Sequence, residues 1–181
     1  EISNLGEFAL IDRLSKNFTI TDKKLVKSIG DDAAVFEASK DNCFLVATDL
    51  LVEGIHFDLI YSPLKHLGYK AVAVNLSDIY AMNAKPKYIT VSIAISKKFS
   101  VQALDLLYEG INLACERFDV ELIGGDTTSS LSGLFINITV IGEAKKDEIV
   151  YRSTAKKNDL ICVSGDLGAA YMGLQILERE K

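Results

Sequence analysis

No apolar run in this sequence approaches the roughly 20 residues that a membrane span requires, and the first residues, Glu1 to Glu7, are polar and acidic, unlike a secretory leader. Cysteine is scarce. Cys43, Cys115 and Cys162 are odd in number, far apart and set in apolar runs, which indicates neither a disulfide framework nor a CxxC zinc site; small buried thiols in a reduced cytoplasm are the expectation. Positive charge is not in excess: with a formal net charge of −5 and lysines scattered without aromatic partners, the chain offers no broad electrostatic footprint for nucleic acid. The Gly-x-x-x-x-Gly-Lys-Ser/Thr loop that commonly cradles nucleotide phosphates is missing. Ser153 and Thr154 have no histidine or other activating base nearby in sequence, which leaves no case for a nucleophilic hydrolase. Internal repeats and low-complexity tracts are absent too, arguing against a solenoid or a tethering linker.

What remains is the 49% hydrophobic, 25% charged composition of an ordinary globular protein, in a length that can enclose a sizeable core. Within it, four short segments set an aspartate beside glycine, alanine or a hydroxyl residue at the edge of an apolar stretch. These are Gly30-Asp31-Asp32-Ala33-Ala34, Thr48-Asp49, Asn75-Leu76-Ser77-Asp78 and Gly124-Gly125-Asp126-Thr127-Thr128. A carboxylate so placed must face a cleft or find a partner. Several converging on one cleft suggest magnesium, a hard cation that usually binds through a few carboxylates plus substrate phosphates. Phosphoryl transfer is the chemistry implied, with the phosphates held by metal ions.

Each residue also has a plainer reading. Neighbouring Asp31 and Asp32 point to opposite sides of extended backbone, so one faces the site while the other braces the loop, unless both belong to a solvated turn at Gly30. Asp49 ends an apolar run beside Thr48, whose hydroxyl also suits a hard cation; an Asx turn closing a strand is the alternative. Asp78 stands on an otherwise apolar helical stripe, where it either meets a cation or bonds within the helix. Asp126 follows a double glycine that lets backbone approach phosphate closely. His56 is read as structural when taken alone, His66 as a surface residue, Tyr108 as a core or rim aromatic, and Arg152 as a partner for phosphate or for a surface carboxylate.

The periodicities predict an α/β (α+β) domain in the order ββαβαββ. Phe8, Ile11 and Leu14 give a first amphipathic helix, and Ser15 to Ser28 reads as a polar connection. Ala33 to Phe36 and Cys43 to Thr48 form a hairpin, Leu64 onward a helix to Met82, and Tyr88 to Ile95 an alternating strand. Val101 to Phe118 is a second long helix, Val120 to Ile123 a strand running into the glycines, and Leu134 to Gly142 another strand. A charged stretch from Lys145 to Asn158 marks a boundary: residues 1–144 form one domain, and 145–181 a linker and the start of a second. In that second unit Asp159 to Ser164 reads as a buried strand and Ala169 to Leu177 as a helix, so the chain reads as part of a longer protein.

The four aspartate segments, together with Thr48-Asp49-Leu50-Leu51-Val52-Glu53-Gly54-Ile55-His56-Phe57 and Lys70-Ala71-Val72-Ala73-Val74-Asn75-Leu76-Ser77-Asp78, resemble the thiamine-monophosphate kinases. Those belong to the superfamily that includes aminoimidazole ribonucleotide synthetase and selenophosphate synthetase. The resemblance implies ATP-dependent phosphorylation of thiamine monophosphate to thiamine diphosphate by direct attack of a substrate phosphate oxygen. It implies magnesium at Asp32, Thr48, Asp49, Asp78 and Asp126, ATP at Tyr108, Gly125, Asp126 and Arg152, and substrate near His56, with no catalytic base assigned. It also implies a mixed sheet that pairs across a two-fold axis into a barrel, hence a homodimer. Two positions depart from the family pattern: Ala47 stands where serine is frequent, and Asn83 where glycine is frequent. Rival readings are another ATP-dependent enzyme of the same superfamily and, for this stretch of chain, a noncatalytic Mg-nucleotide-binding dimerisation module.

Overall fold

The computed structural model describes residues 5–179. Helix α1 (Gly6–Ser15) is followed by strands β1 (Leu25–Lys27), β2 (Ala34–Glu37) and β3 (Asn42–Val52), then by helix α2 (Leu64–Ala81) and strand β4 (Lys85–Ile95). Helix α3 (Val101–Phe118), strands β5 (Glu121–Ser129) and β6 (Phe135–Lys145), a single 3₁₀ turn (Arg152–Thr154) and helix α4 (Ala169–Arg179) complete it. From β2 to β6 the order is the expected ββαβαββ. The strands make one mixed sheet in the spatial order β1-β2-β3-β6-β4-β5. Among the described strands only β4 and β5 run parallel, and α3 is the crossover that parallel neighbours require.

Alternation of side chains decides which sheet face is covered. Leu45, Ala47 and Leu51 of β3, Ile136, Ile138 and Val140 of β6, and Ile89, Val91 and Ile93 of β4 are all buried, with Ala47, Val140 and Ile89 in one row across the ladder and Leu51, Ile136 and Ile93 in another. Against them lie Leu67, Ala71, Val72, Leu76 and Ile79 of α2. Leu107 and Ile111 of α3 close the same core. The two helices meet backbone to backbone: a Cβ at Gly68 would fall 2.0 Å from the Leu107 carbonyl oxygen, and one at Gly110 1.8 Å from that of Lys65. The opposite sheet face carries Thr48, Thr139 and Thr90 in one row and Leu50, Asn137 and Ser92 in the next, none of them buried.

Helix ends follow local chemistry. Ser100 caps α3 by accepting the Ala103 N–H at 3.1 Å, and Asp119 ends it in the left-handed region at φ 56°. Asn83 takes the same conformation after α2, at φ 57°, so asparagine supplies the turn there.

Several expectations need correction. The polar connection before Ser28 contains β1, which pairs with β2 although it carries no periodicity long enough to read. Residues 159–164 form no strand and are exposed, not buried. The apolar positions of α1 are not buried: Phe8 and Leu14 are exposed. Cys162 is exposed, whereas Cys43 and Cys115 are buried as expected. Among the described residues no helix is long and apolar enough to cross a membrane.

Candidate active site

Three elements bring carboxylates to one cleft of about 450 Å³: the loop before β2, the C-terminal half of β3 and the last turn of α2. Gly30, at φ 109°, turns the loop, and the Ala33 N–H donates to the Met82 sulfur at 3.1 Å, tying the loop to the end of α2. The two neighbouring aspartates divide the work. Asp31 is enclosed and braces the loop, its Oδ1 accepting the N–H groups of Asp32 (3.2 Å) and Arg152 (3.4 Å) while Oδ2 lies 3.6 Å from the Lys27 ammonium. Asp32 is partly exposed and pairs with the Arg152 guanidinium, which reaches in from the 3₁₀ turn.

Asp49 lies on the helix-facing side of β3, between buried Ala47 and Leu51, but is itself exposed. Its N–H donates to Asn75 Oδ1 at 2.9 Å, and its carbonyl accepts the Asn137 amide at 3.1 Å. Thr48 faces the other side, where its hydroxyl donates to the Ile138 carbonyl at 3.1 Å and accepts from Asn137 at 3.0 Å. Asp78 is half-buried on α2. Burial, and then the nearby charges of Asp49 and Asp32, push its carboxyl up to about 6, only partly offset by Arg152. Like charges held in a poorly solvated cleft are what a divalent cation neutralises.

A second groove, about 460 Å³, lies at the far edge of the sheet and is lined by Tyr108, Leu122, Gly124, Gly125 and Asp126. It adjoins a larger hollow of about 680 Å³ running along α3, which shares Tyr108 and Leu122. Burial pushes the Tyr108 hydroxyl up from its ordinary value. Strand β5 passes straight through the double glycine instead of stopping before it, with a bulge at Ile123 where the pairing with β4 skips a residue. The glycines are not equivalent. A Cβ on Gly125 would meet the Val91 carbonyl oxygen at 1.8 Å, while one on Gly124 meets nothing within 4 Å. Gly125→Ala is therefore expected to unseat β5, and Gly124→Ala to leave β5 paired. Amide exchange along β5 checks both.

The register fixes how far apart the two grooves are. Asp49 stands opposite Ile138, Ile138 opposite Val91, and Val91 opposite Gly125, so Asp49 and Gly125 end one row that crosses β3, β6, β4 and β5. Three strand spacings amount to about 14 Å. Asp126, one residue on, therefore cannot share an ion with Asp49 inside one copy of the chain. Among the described residues no three His, Cys, Asp or Glu side chains are grouped closely enough to hold a metal ion. The structure thus brings Asp32, Asp49, Asp78 and Arg152 to one cleft, keeps Thr48 in its lining but with the hydroxyl bonded on the other face of the sheet, and sets Tyr108, Gly125 and Asp126 apart.

His56 lines a third hollow, about 510 Å³, with Lys70 and with Tyr171 of α4. The Val52 N–H donates to His56 Nδ1 at 3.0 Å, so the neutral ring carries its proton on Nε2. Lys70 donates to the His56 carbonyl at 2.9 Å, and Glu53 accepts the Leu134 N–H at 2.7 Å, which pins the turn from both sides. Three residues outside the expected set matter here: Asn75, Asn137 and Lys70. Only Asn75 left a sequence signal, as an amide on an apolar helix stripe.

The family model described as AIR synthase related protein, N-terminal domain, matches residues 30–144. Over 176 residues the chain is 40% identical to the thiamine-monophosphate kinase of Bacillus subtilis (strain 168), covering 97% of this chain and 54% of that protein. A solved structure described as "AaThiL complexed with AMPPCP and TMP" aligns with a TM-score of 0.87 at 35% identity, covering all of this chain and 55% of the other. The thiamine-monophosphate kinase from Stenotrophomonas maltophilia K279a aligns with a TM-score of 0.71 at 33% identity, over 97% of this chain and 54% of that one. The chain spans about half the length of the curated relatives it matches.

Proposed function

This chain belongs to the AIR synthase related protein family, whose N-terminal domain it contains, and on that premise we propose that it is part of an ATP-dependent kinase that converts thiamine monophosphate to thiamine diphosphate. The observation that carries the reading is the meeting of Asp32, Asp49 and Asp78 in one cleft, where the charged form of Asp78 is disfavoured without a cation. Its donor set is all oxygen, which fits magnesium and not a softer metal. Because no three of the described carboxylates are close enough to cage an ion by themselves, Asp32, Asp49 and Asp78 would each lend an oxygen to magnesium carried in on substrate phosphates, and the ion would supply neutralisation of phosphate oxygens as charge shifts between them.

The chain's own residues position the reactants. Arg152 is already drawn into the cleft by Asp32, so its guanidinium lies where a phosphate oxygen can replace that carboxylate. His56 offers an Nε2–H donor to an anionic or carbonyl group of the substrate, from a turn that Lys70 and Glu53 hold still. Tyr108, Gly125 and Asp126 line the groove proposed for the nucleotide. No general base is required, because a phosphate oxygen is already an anionic nucleophile.

The separation of about 14 Å across three strands, together with the exposure of every residue of β5, supports a homodimer. Its two sheets face each other as a barrel, and Asp126 of the partner subunit closes over Asp49. In this arrangement residues 1–144 bind Mg-ATP and dimerise, and residues 145–181 open a second domain. Incubation of the full-length protein with ATP, magnesium and thiamine monophosphate is expected to yield thiamine diphosphate and ADP in equal amounts. Absence of product, or equal turnover of aminoimidazole precursors, overturns the reading.

A further inference from the structure

We propose that Asn75 is a positioning residue that sets Asp49 against Asp78 for cation binding, an inference that rests on the reading of the cleft as a magnesium-nucleotide site. Among the described polar residues only Asn75 and Ser96 are buried as whole residues, and Asn75 is wholly enclosed, on the apolar face of α2 among Ala71, Val72, Leu76 and Ile79. Its amide is used on both sides. Nδ2 donates to the Ala71 carbonyl one turn earlier at 2.9 Å, and Oδ1 accepts the Asp49 N–H at 2.9 Å.

The second bond crosses from helix to strand at a place where the sheet supplies no partner. Pairing of β2 with β3 ends at Val46, so Asp49 lies beyond the last residue that β2 supports. Asn75 stands in for the missing strand. Asp78 follows it by three residues and shares its side of the helix, so one hydrogen bond joins α2 to β3 where each contributes a carboxylate. Two carboxylates repel each other until a cation lies between them, and a strand end without a tie yields to that repulsion. A neutral amide holds the strand without adding charge. Leucine, of similar size, would fill the space but leave the Asp49 N–H unpaired, and aspartate would accept that N–H yet lose the bond to Ala71 and add a third negative charge.

The test uses the full-length protein and measures the magnesium concentration at half-maximal binding of AMPPCP, together with hydrogen exchange of the Asp49 amide. Asn75→Leu is compared with Leu67→Ala, a core truncation in the same helix that touches neither carboxylate. The expected result is a midpoint raised tenfold or more in Asn75→Leu, with faster exchange at Asp49, and an unchanged midpoint in Leu67→Ala despite its lower melting temperature. A midpoint within about twofold of wild type in folded Asn75→Leu, or an equal shift in Leu67→Ala, overturns the proposal. If Asn75→Leu does not fold, the unaltered protein decides: an Asp49 amide that exchanges as fast as an unbonded one overturns it, and a protected amide supports it. Magnesium-independent AMPPCP binding in the wild type would instead sink the underlying site assignment.

Discussion

Replacing Asp78 with asparagine is expected to make the protein more stable while removing its response to magnesium. The carboxyl of Asp78 is raised to about 6 by burial and by its neighbours, above its ordinary value of 3.8. An acid whose value is raised on folding favours the protonated native state, so its contribution is fullest below 3.8 and is lost as pH climbs through about 6. At pH 7 the ionised group therefore opposes folding in the absence of divalent cation. The shift corresponds to about 1 to 2 kcal/mol once solvent screening of a partly exposed group is allowed for. For a chain of this size that is a rise in melting temperature of about 3 to 6 °C in metal-free buffer at pH 7.

The same change removes a charged ligand, so magnesium-dependent nucleotide binding should weaken by about 100-fold or more. Asp49→Asn should bring a loss of similar size and, by lifting one repulsion, lower the Asp78 carboxyl. Wild-type protein should gain stability from magnesium and nucleotide together, and neither variant should. Without metal, wild type should be more stable at pH 5 than at pH 7 to the extent that Asp78 governs that range, and Asp78→Asn should lose that difference. Melting curves at both pH values, with and without magnesium, read all of this. An Asp78→Asn protein that melts lower than wild type, or that still binds Mg-nucleotide with wild-type affinity, would contradict the account.

Mixing two inactive variants should restore activity. If Asp49 of one chain and Asp126 of the partner subunit serve the same site, a dimer of one Asp49→Asn chain and one Asp126→Asn chain has one doubly damaged site and one intact site. Random association makes about half the dimers mixed, so about a quarter of the wild-type sites are regenerated from two preparations that have almost none. Co-expression of the two full-length variants, followed by the thiamine diphosphate assay, measures this. The converse is equally sharp: if both carboxylates act within one chain, every site in every dimer is damaged and no activity returns. Asp49→Asn mixed with Asp78→Asn is the internal control, because those residues share one cleft within a chain and should complement poorly. Light scattering on the wild type must show the dimer for the scheme to stand.

Much of this site was legible before any coordinates. The 3.6-residue stripe of Leu64, Leu67, Ala71 and Val74 and the strict alternation of Ile89, Val91 and Ile93 announce the faces turned to the core, because burial is set by local geometry repeated along an element. Aspartates at the ends of such elements stand out for the same reason: a charge breaks a pattern that the neighbours establish. Asp78 is visible this way, whereas Asn75, on the same stripe, gains its meaning only from the Asp49 N–H it meets.

Which groups meet was another matter. Nothing local says that Asp31 turns inward to Lys27 while Asp32 takes Arg152, 120 residues away. Nor does the double glycine reveal that Gly125 is required by the Val91 carbonyl and Gly124 by nothing nearby. By itself the sequence determined the elements, their buried faces and the inventory of carboxylates, since each depends on residues a few positions apart. Only the tertiary structure decided that β6 enters between β3 and β4, which moves Asp126 three strands from Asp49, and that β2 stops short on the other side of β3, which leaves the Asp49 N–H to Asn75. Strand order arises from pairings between segments distant in the chain, whose free energy depends on the whole packed sheet and leaves no periodic trace in any one of them.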